Sequence, residues 1–208
     1  MRIAVIQASS MADRNALLFD AVCRYAKGSE VFNFGCCPGE EDRYSYIEIS
    51  LLIGLLLSSG AADLAVTGCA SGQGMMLACN SMPGVICGYA PTPRDAYLFA
   101  QINDGNAVSL PLGEGYTWAG VDNLKETVRA LFSEPFGQGW PREDAERKLR
   151  DTAMLKEIRR KSQKEMTELL DILDRDLLEK AFRKTDVMDH IMRYGTVPEI
   201  TERIKRFL

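Results

Sequence analysis

An α/β fold, with a five-stranded parallel sheet between two layers of helices and a helical tail, is predicted by three observations. Five short apolar runs alternate with five stretches of helical spacing between Ile3 and Phe132. The charge is uneven: residues 1–120 carry 6 Lys and Arg against 11 Asp and Glu, whereas the shorter stretch 121–208 carries 19 against 18. A break rich in Pro and Gly, Pro135-Phe136-Gly137-Gln138-Gly139-Trp140-Pro141, separates the two parts. Strict β-α alternation argues for a parallel sheet with helices on both faces. Dense charge of both signs argues for solvated helices. The predicted division is a sheet domain over 1–134 and a helical extension over 135–208.

The elements follow in order. Ile3–Gln7 is a short apolar run, as expected of a buried parallel strand. Asp13–Ala26 is helical, with Asp13 as N-cap and Leu17, Leu18, Ala21 and Val22 on one face. Val31–Phe34 is the second strand. Tyr44–Ser59 is a helix ended by Gly60, and it holds the longest apolar run, Ile47–Leu57. Leu64–Thr67 is a strand and Gly72–Asn80 a helix. Val85–Tyr89, Thr92–Ile102, Ala107–Leu110 and Val121–Phe132 complete the alternation. Beyond the break, Arg142–Lys184 reads as one long or two broken helices, followed by short helical pieces. The whole is a Rossmann-like three-layer α/β/α arrangement plus a C-terminal helical extension.

Composition narrows the function. The chain has 208 residues, 46% hydrophobic and 26% charged, which suits a globular protein and not a disordered one. A net charge of −4 argues against nucleic acid as a partner. The longest apolar run contains Glu48 and falls short of the ~20 residues that span a bilayer, so no membrane partner is expected. The N-terminus leads into a strand pattern without the features of a signal peptide, which predicts a cytoplasmic protein. Six cysteines include no CxxC pair. They are expected as thiols, with Cys23, Cys79 and Cys87 acting as small buried hydrophobes. A single histidine, His190, excludes a His-rich zinc site, and no metal is expected.

In an open parallel sheet, ligands bind outside the carboxyl ends of the strands. That rule singles out the turn after the third strand, Thr67-Gly68-Cys69-Ala70-Ser71-Gly72-Gln73-Gly74-Met75. Its glycines let the backbone approach a ligand, and the following helix aims free N–H groups at the same spot. Cys69 stands just before that helix, where a thiolate is favoured. Two plainer readings stand beside this one: a glycine-rich turn also serves tight packing, and Cys69 also fits a buried apolar role.

The segment Cys69-Ala70-Ser71-Gly72-Gln73-Gly74, with Ala78-Cys79-Asn80 and Pro83-Gly84-Val85, resembles the signature of the ribose-5-phosphate isomerase B and galactose-6-phosphate isomerase family. Gln101-Ile102-Asn103-Asp104-Gly105-Asn106-Ala107 resembles the family's later His-Asn-Asp-x-Asn segment. The extension resembles a longer branch, some of whose members act on 4-deoxy-5-keto-uronates. The resemblance implies an aldose–ketose isomerase that works through a cis-enediolate without metal or organic cofactor. It implies Cys69 as the base, and Ser71 as a group bonded to a substrate oxygen. The N–H groups of Ser71, Gly72, Gln73 and Gly74 would be donors to the enediolate or a distal anion, and Asn103 would orient substrate hydroxyls. Some relatives use a Glu after the glycine loop, and here that place is Met75. The resemblance also implies a homodimer or homotetramer with sites at the subunit interface.

The departures bear on substrate. The family's Asp-His after strand one is Ala8-Ser9 here, which leaves Ser9 as a substrate-binding candidate. The ring-opening His is Ile102, and Arg142 is out of register with the family's phosphate-binding arginines. These losses point to an open-chain sugar acid with a carboxylate, a keto-deoxyuronate, with Arg94 after strand four as a further carboxylate ligand. The alternatives are an isomerase of a phosphorylated sugar and a non-catalytic sensor of a sugar acid.

Overall fold

Parallel strands covered on both sides must be apolar on both faces, and two of the three inner strands of this chain show it most fully. In the computed structural model, which describes residues 1–207, β3 (Leu64–Cys69) and β5 (Ala107–Pro111) are buried along their entire length. With β1 (Arg2–Val5), β2 (Glu30–Asn33) and β4 (Cys87–Tyr89) they form one parallel sheet in the order β2-β1-β3-β5-β4. The chain steps outward from β1 to β2 and returns to the other side of β1 at β3. The crevice at this reversal of direction lies between the carboxyl ends of β1 and β3.

The expected α/β alternation is present. One cap differs from expectation. A 3-10 turn over Ser9–Arg14 runs directly into α1 (Asn15–Tyr25), so Asp13 caps nothing. The helix is anchored instead by Asn15, whose Nδ2 donates to Gln7 Oε1 and Asn33 Oδ1, both at 2.9 Å. After α2 (Tyr46–Ser58) and α3 (Gln73–Asn80) comes α4 (Pro93–Leu98). Thr92 caps α4, which ends in a π turn over Phe99–Asn103. The sheet part closes with α5 (Gly120–Leu131). The predicted helix over Arg142–Lys184 is a 3-10 turn and three helices, α6 (Ala145–Ser162), α7 (Met166–Ile172) and α8 (Arg175–Phe182). Then come α9 (Thr185–Tyr194) and α10 (Pro198–Lys205).

The role of the extension follows from α2. Residues Glu48–Leu56 are all buried, which one sheet face alone cannot achieve. The sheet covers one side of α2, and α7, α8 and α9 cover the other. Met166, Leu170, Leu178, Phe182, Val187 and Ile191 thereby share one core with Ala4, Ile6, Ala65 and the α2 leucines. A Cβ on Gly54 would lie 2.8 Å from Met166 Cε, so the glycine admits this close packing. Each large apolar side chain buried this way contributes about 1.5–3 kcal/mol. Glu48, the one charge in the run, accepts from Lys180 Nζ of α8 at 2.6 Å. Burial works to raise its carboxyl, but the bonds from Lys180 and Ser45 outweigh that and the net shift is downward. The opposite sheet face packs Ile3, Val5, Val66 and Val108 on α1 and α5.

Cys79 and Cys87 are buried as expected, whereas Cys23 is exposed on α1. Among the described residues no helix is long and apolar enough to cross a membrane. α6 differs from the other long helices: none of its residues is fully buried, and Leu149, Met154, Leu155 and Ile158 are 41–59% exposed.

His190 of α9 is enclosed by Phe32, Phe34 and Tyr194, with ring centroids 4.3–4.9 Å away, and its Nε2 lies 3.1 Å from Ala61 O. Burial lowers its pKa from the ordinary 6.5. The unfolded chain therefore binds this proton at a higher pH than the folded one. The neutral ring's contribution to stability is complete above pH 6.5 and is lost as the pH falls from there toward the lowered value. The slope is at most about 1.4 kcal/mol per pH unit. In urea unfolding followed from pH 8 to 5, His190→Phe is expected to flatten this segment of the stability profile.

Candidate functional site

The site is built where β3 turns into α3. Cys69 ends β3, pairs in register with Pro111, and is 8% exposed. Its carbonyl accepts from Leu112 N–H at 3.0 Å, and Ala70 O accepts from Gly113 N–H at 3.0 Å, so the loop after β5 holds the first half of the turn. Ser71 Oγ lies 4.0 Å from Cys69 Sγ. The turn then reverses at Gly72, which has a left-handed φ of 74°. A side chain there would also collide, with a Cβ 2.8 Å from the Tyr89 ring and 2.9 Å from the backbone of Leu110. Ser109 Oγ fixes the same residue by donating to Gly72 O at 2.6 Å.

The first backbone bond into α3 runs from Met76 N–H to Gly72 O at 3.0 Å. The N–H groups of Gln73, Gly74 and Met75 are therefore left over at the helix start, as at any helix N-terminus. Gln73 is exposed and Gly74 half-buried, whereas Met75 is fully buried in the core. Tyr46, which opens α2, stands over the helix start. A Cβ on Gly74 would lie 3.9 Å from its ring, an ordinary contact. Cys69, Ser71, Gly72, Gln73 and Gly74 thus form one cluster: a thiol, a hydroxyl and an array of N–H donors.

Ser9 lies beside this cluster, at the carboxyl end of β1, where Ala8 N–H reaches Gly68 O at 3.4 Å. Its hydroxyl is already engaged, accepting from Tyr44 N–H at 2.8 Å. Burial pushes the Cys36 thiol up, with the Ser9 hydroxyl working against it. Burial likewise pushes the Tyr44 phenol to about 12. Gln7 is fully buried and donates to Cys36 O at 2.7 Å, so it is part of the scaffold.

Two candidates lie apart from the cluster. Asn103 precedes β5, at the amino edge of the sheet. Cys69 pairs with Pro111, at the far end of β5. The four residue steps from Ala107 to Pro111 alone separate them by about 13 Å at a strand rise of ~3.3 Å. One chain therefore does not bring Asn103 to Cys69. Arg94 is exposed in the first turn of α4, and its guanidinium sits 5.5 Å from the centre of the Trp140 ring. Arg142 and Arg147 are engaged with Glu134 and Asp144.

Sequence reasoning passed over Arg14. It ends the 3-10 turn after β1, packs 4.8 Å over the Trp118 ring, and donates to Glu114 Oε1 at 2.7 Å. Glu114 adjoins Gly113, which is bonded to the glycine turn through Ala70 O, so Arg14 stands at the crevice rim. The available signal was a lone arginine within ten residues of the first strand's carboxyl end. Among the described residues no three of His, Cys, Asp and Glu gather as a metal-binding set.

A family profile described as Ribose/Galactose Isomerase matches residues 3–149. Two solved structures match over 100% of this chain and 99% of theirs. One is a 4-deoxy-L-threo-5-hexosulose-uronate ketol-isomerase complexed with a tartrate, 37% identical with a TM-score of 0.94. The other is a ribose-5-phosphate isomerase from Vibrio parahaemolyticus, 36% identical with a TM-score of 0.93. The type B ribose 5-phosphate isomerase of Trypanosoma cruzi, 21% identical, shares the fold over 76% of this chain and 98% of its own, with a TM-score of 0.63. No match is found among proteins of curated function.

Two glycines of the turn, Gly72 and Gly74, are expected to separate packing from access. Gly72→Ala meets both the strained φ and the collision, and should lose roughly 1–3 kcal/mol of stability. Gly74→Ala has room, and should unfold within about 1 kcal/mol of the parent. Any loss of ligand binding in Gly74→Ala then reports obstruction of the donor array. Chemical denaturation of both variants checks this.

Proposed function

The chain belongs to the ribose/galactose isomerase family and is an isomerase of the aldose–ketose class; from that premise we propose that it interconverts an open-chain keto-deoxyuronate and its ketose isomer, with Cys69 as the base. In the aldose-to-ketose direction the Cys69 thiolate takes the proton from C2. The C2–H electron pair becomes the C1=C2 bond of a cis-enediolate, and the carbonyl oxygen takes the negative charge. The N–H groups of Gln73 and Gly74 hold that oxygen, each worth a few kcal/mol in the transition state. The thiol then returns the proton to C1. The hydroxyl proton of O2 passes to O1, a transfer assigned to Ser71. No step in this scheme calls on a metal or an organic cofactor.

The observation that carries the substrate is the carboxyl end of β1. It offers Ala8 and a Ser9 hydroxyl already bonded to Tyr44, and Ile102 stands where the family has its ring-opening His. A cyclic sugar needs an acid and a base to open its ring, whereas an open-chain substrate needs neither. Arg14 at the rim would take a substrate carboxylate by exchanging it for Glu114, its present partner. The similarity to the uronate ketol-isomerase supports this reading, and the equal similarity to the ribose-5-phosphate isomerase makes phosphorylated sugars the second one to test. In deuterated buffer, NMR is expected to show deuterium entering beside the carbonyl of a 4-deoxy-5-keto-uronate. Cys69→Ala should slow this by about 10²–10⁴-fold. Exchange with ribose 5-phosphate alone would overturn the substrate, and full exchange in the variant would overturn the base.

We assign Asn103 to the site of a second copy, since one chain holds it at the opposite edge from Cys69. The exposed apolar side chains of α6, with Tyr46 and Leu77 near the donor array, supply surface for such a homo-oligomer. Mixing Cys69→Ala with Asn103→Ala under subunit exchange should restore part of the activity that each lacks alone. A shared site regenerates an intact one in mixed dimers. No gain on mixing would place both residues' roles within one chain.

A further inference from the structure

A cavity of about 660 Å³ lies between the amino edge of the sheet and the extension, and none of its lining residues belongs to the glycine turn. Its size falls within the range of small-molecule sites, ~300–1,000 Å³. Ile86, Met166, Val197 and Ile200 give it an apolar floor, and charged side chains of α6 and the α6–α7 loop form its rim.

Most of the rim charge is already neutralised or solvated. Lys156 pairs with Asp104 at 2.6 Å, and Arg160 makes two bonds of 3.0 Å to Glu157. Glu165 and Glu199 are exposed to water, and the Glu165 carboxylate caps the start of α7. Arg159 is different. It is half-buried, and among the described residues it has no carboxylate partner. Its Nη2 is spent on the carbonyls of Asn80 and Val85, and its Nε is buried with no acceptor. A guanidinium withdrawn from water without a counter-charge favours an anion nearby far more than an exposed carboxylate repels one. Lys164, exposed beside it, also forms no ion pair among the described residues.

We propose that this cavity is a second ligand site, taking a small molecule with an apolar body and one anionic head, a carboxylate or a phosphate, set against Arg159 and Lys164. The apolar body lies on Met166 and Ile200. Within one chain the cavity and the glycine turn lie at opposite edges of the sheet, and Asp104 of the cavity rim adjoins Asn103, the residue assigned above to a second copy's site. The cavity also touches the helix that follows the glycine turn. Asn80, the last residue of α3, is held through its carbonyl by Arg159 at 3.0 Å and Gln163 at 3.2 Å.

The test is an NMR titration of the full chain that follows the Met166 and Ile200 methyl groups and, for the other site, the Gly74 amide. The probes are phenyl phosphate and benzoate, with benzyl alcohol as the neutral body and gluconate as an anion without an apolar body. Both aromatic anions are expected to shift the two methyls saturably, and whichever binds tighter identifies the head group. Benzyl alcohol and gluconate should bind at least about tenfold more weakly. Arg159→Gln should weaken the anions about tenfold, and Lys164→Gln, which disturbs no contact in the fold, about threefold. The proposal is overturned if benzyl alcohol binds as well as the anions, if shifts occur only at Gly74, or if neither anion saturates at tens of millimolar. It is equally overturned if Lys164→Gln and a folded Arg159→Gln both bind like the parent.

Discussion

The constraint on which the rest of this structure depends is the two-sided burial of α2. A helix whose residues Glu48–Leu56 are all buried cannot lie on a sheet with its back to water. The extension meets this demand. α7, α8 and α9 close over α2, and their apolar residues merge with those of the sheet into one core. The single charge in the run, Glu48, is matched by Lys180 from the covering layer. The extension is thus bound to the catalytic fold by the hydrophobic effect over a continuous surface. Arg2 adds polar contacts at the seam, donating to Tyr194 O and Gly60 O.

That constraint also shapes the site. With α2 clamped on both sides, its first residue, Tyr46, is held over the start of α3, where the unpaired N–H groups converge. The other wall of the turn is equally fixed, by Ser109 on Gly72 O and by the Leu112 and Gly113 amides on Cys69 and Ala70. A donor array stabilises developing negative charge only if it need not reorganise during reaction. Rigid strands and a doubly covered helix supply that condition more reliably than a free loop.

Much of the fold was legible in the sequence because parallel strands and amphipathic helices write their burial into local periodicity. The runs at Leu64–Thr67 and Ala107–Leu110 each mark a strand of the sheet within two residues. The misread cap at Asp13 has a tertiary cause: Asn15 finds its partners on Gln7 and Asn33, from two different strands. Cys23 was misplaced for a related reason. A thiol at helical spacing carries no mark of which layer, if any, will cover it. The place of the glycine turn was legible, since a glycine-rich turn at a strand's carboxyl end is a local feature. Arg14 was not, because only the fold carries the loop after β5, with Trp118 and Glu114, across to the end of β1.

The amino-acid sequence by itself determined the alternation of strands and helices, the thiol and donors of the turn at Cys69–Gly74, and the apolar character of α2. All three are set by residues within a few positions of one another. Only the tertiary structure decided what covers α2, that Asn103 stands at the opposite edge of the sheet from Cys69, and that Arg159 is left without a counter-charge beside a cavity. These depend on contacts between residues far apart in the sequence, such as Glu48 with Lys180, 132 positions apart. Periodicity records whether a side chain is buried, but not which distant segment buries it.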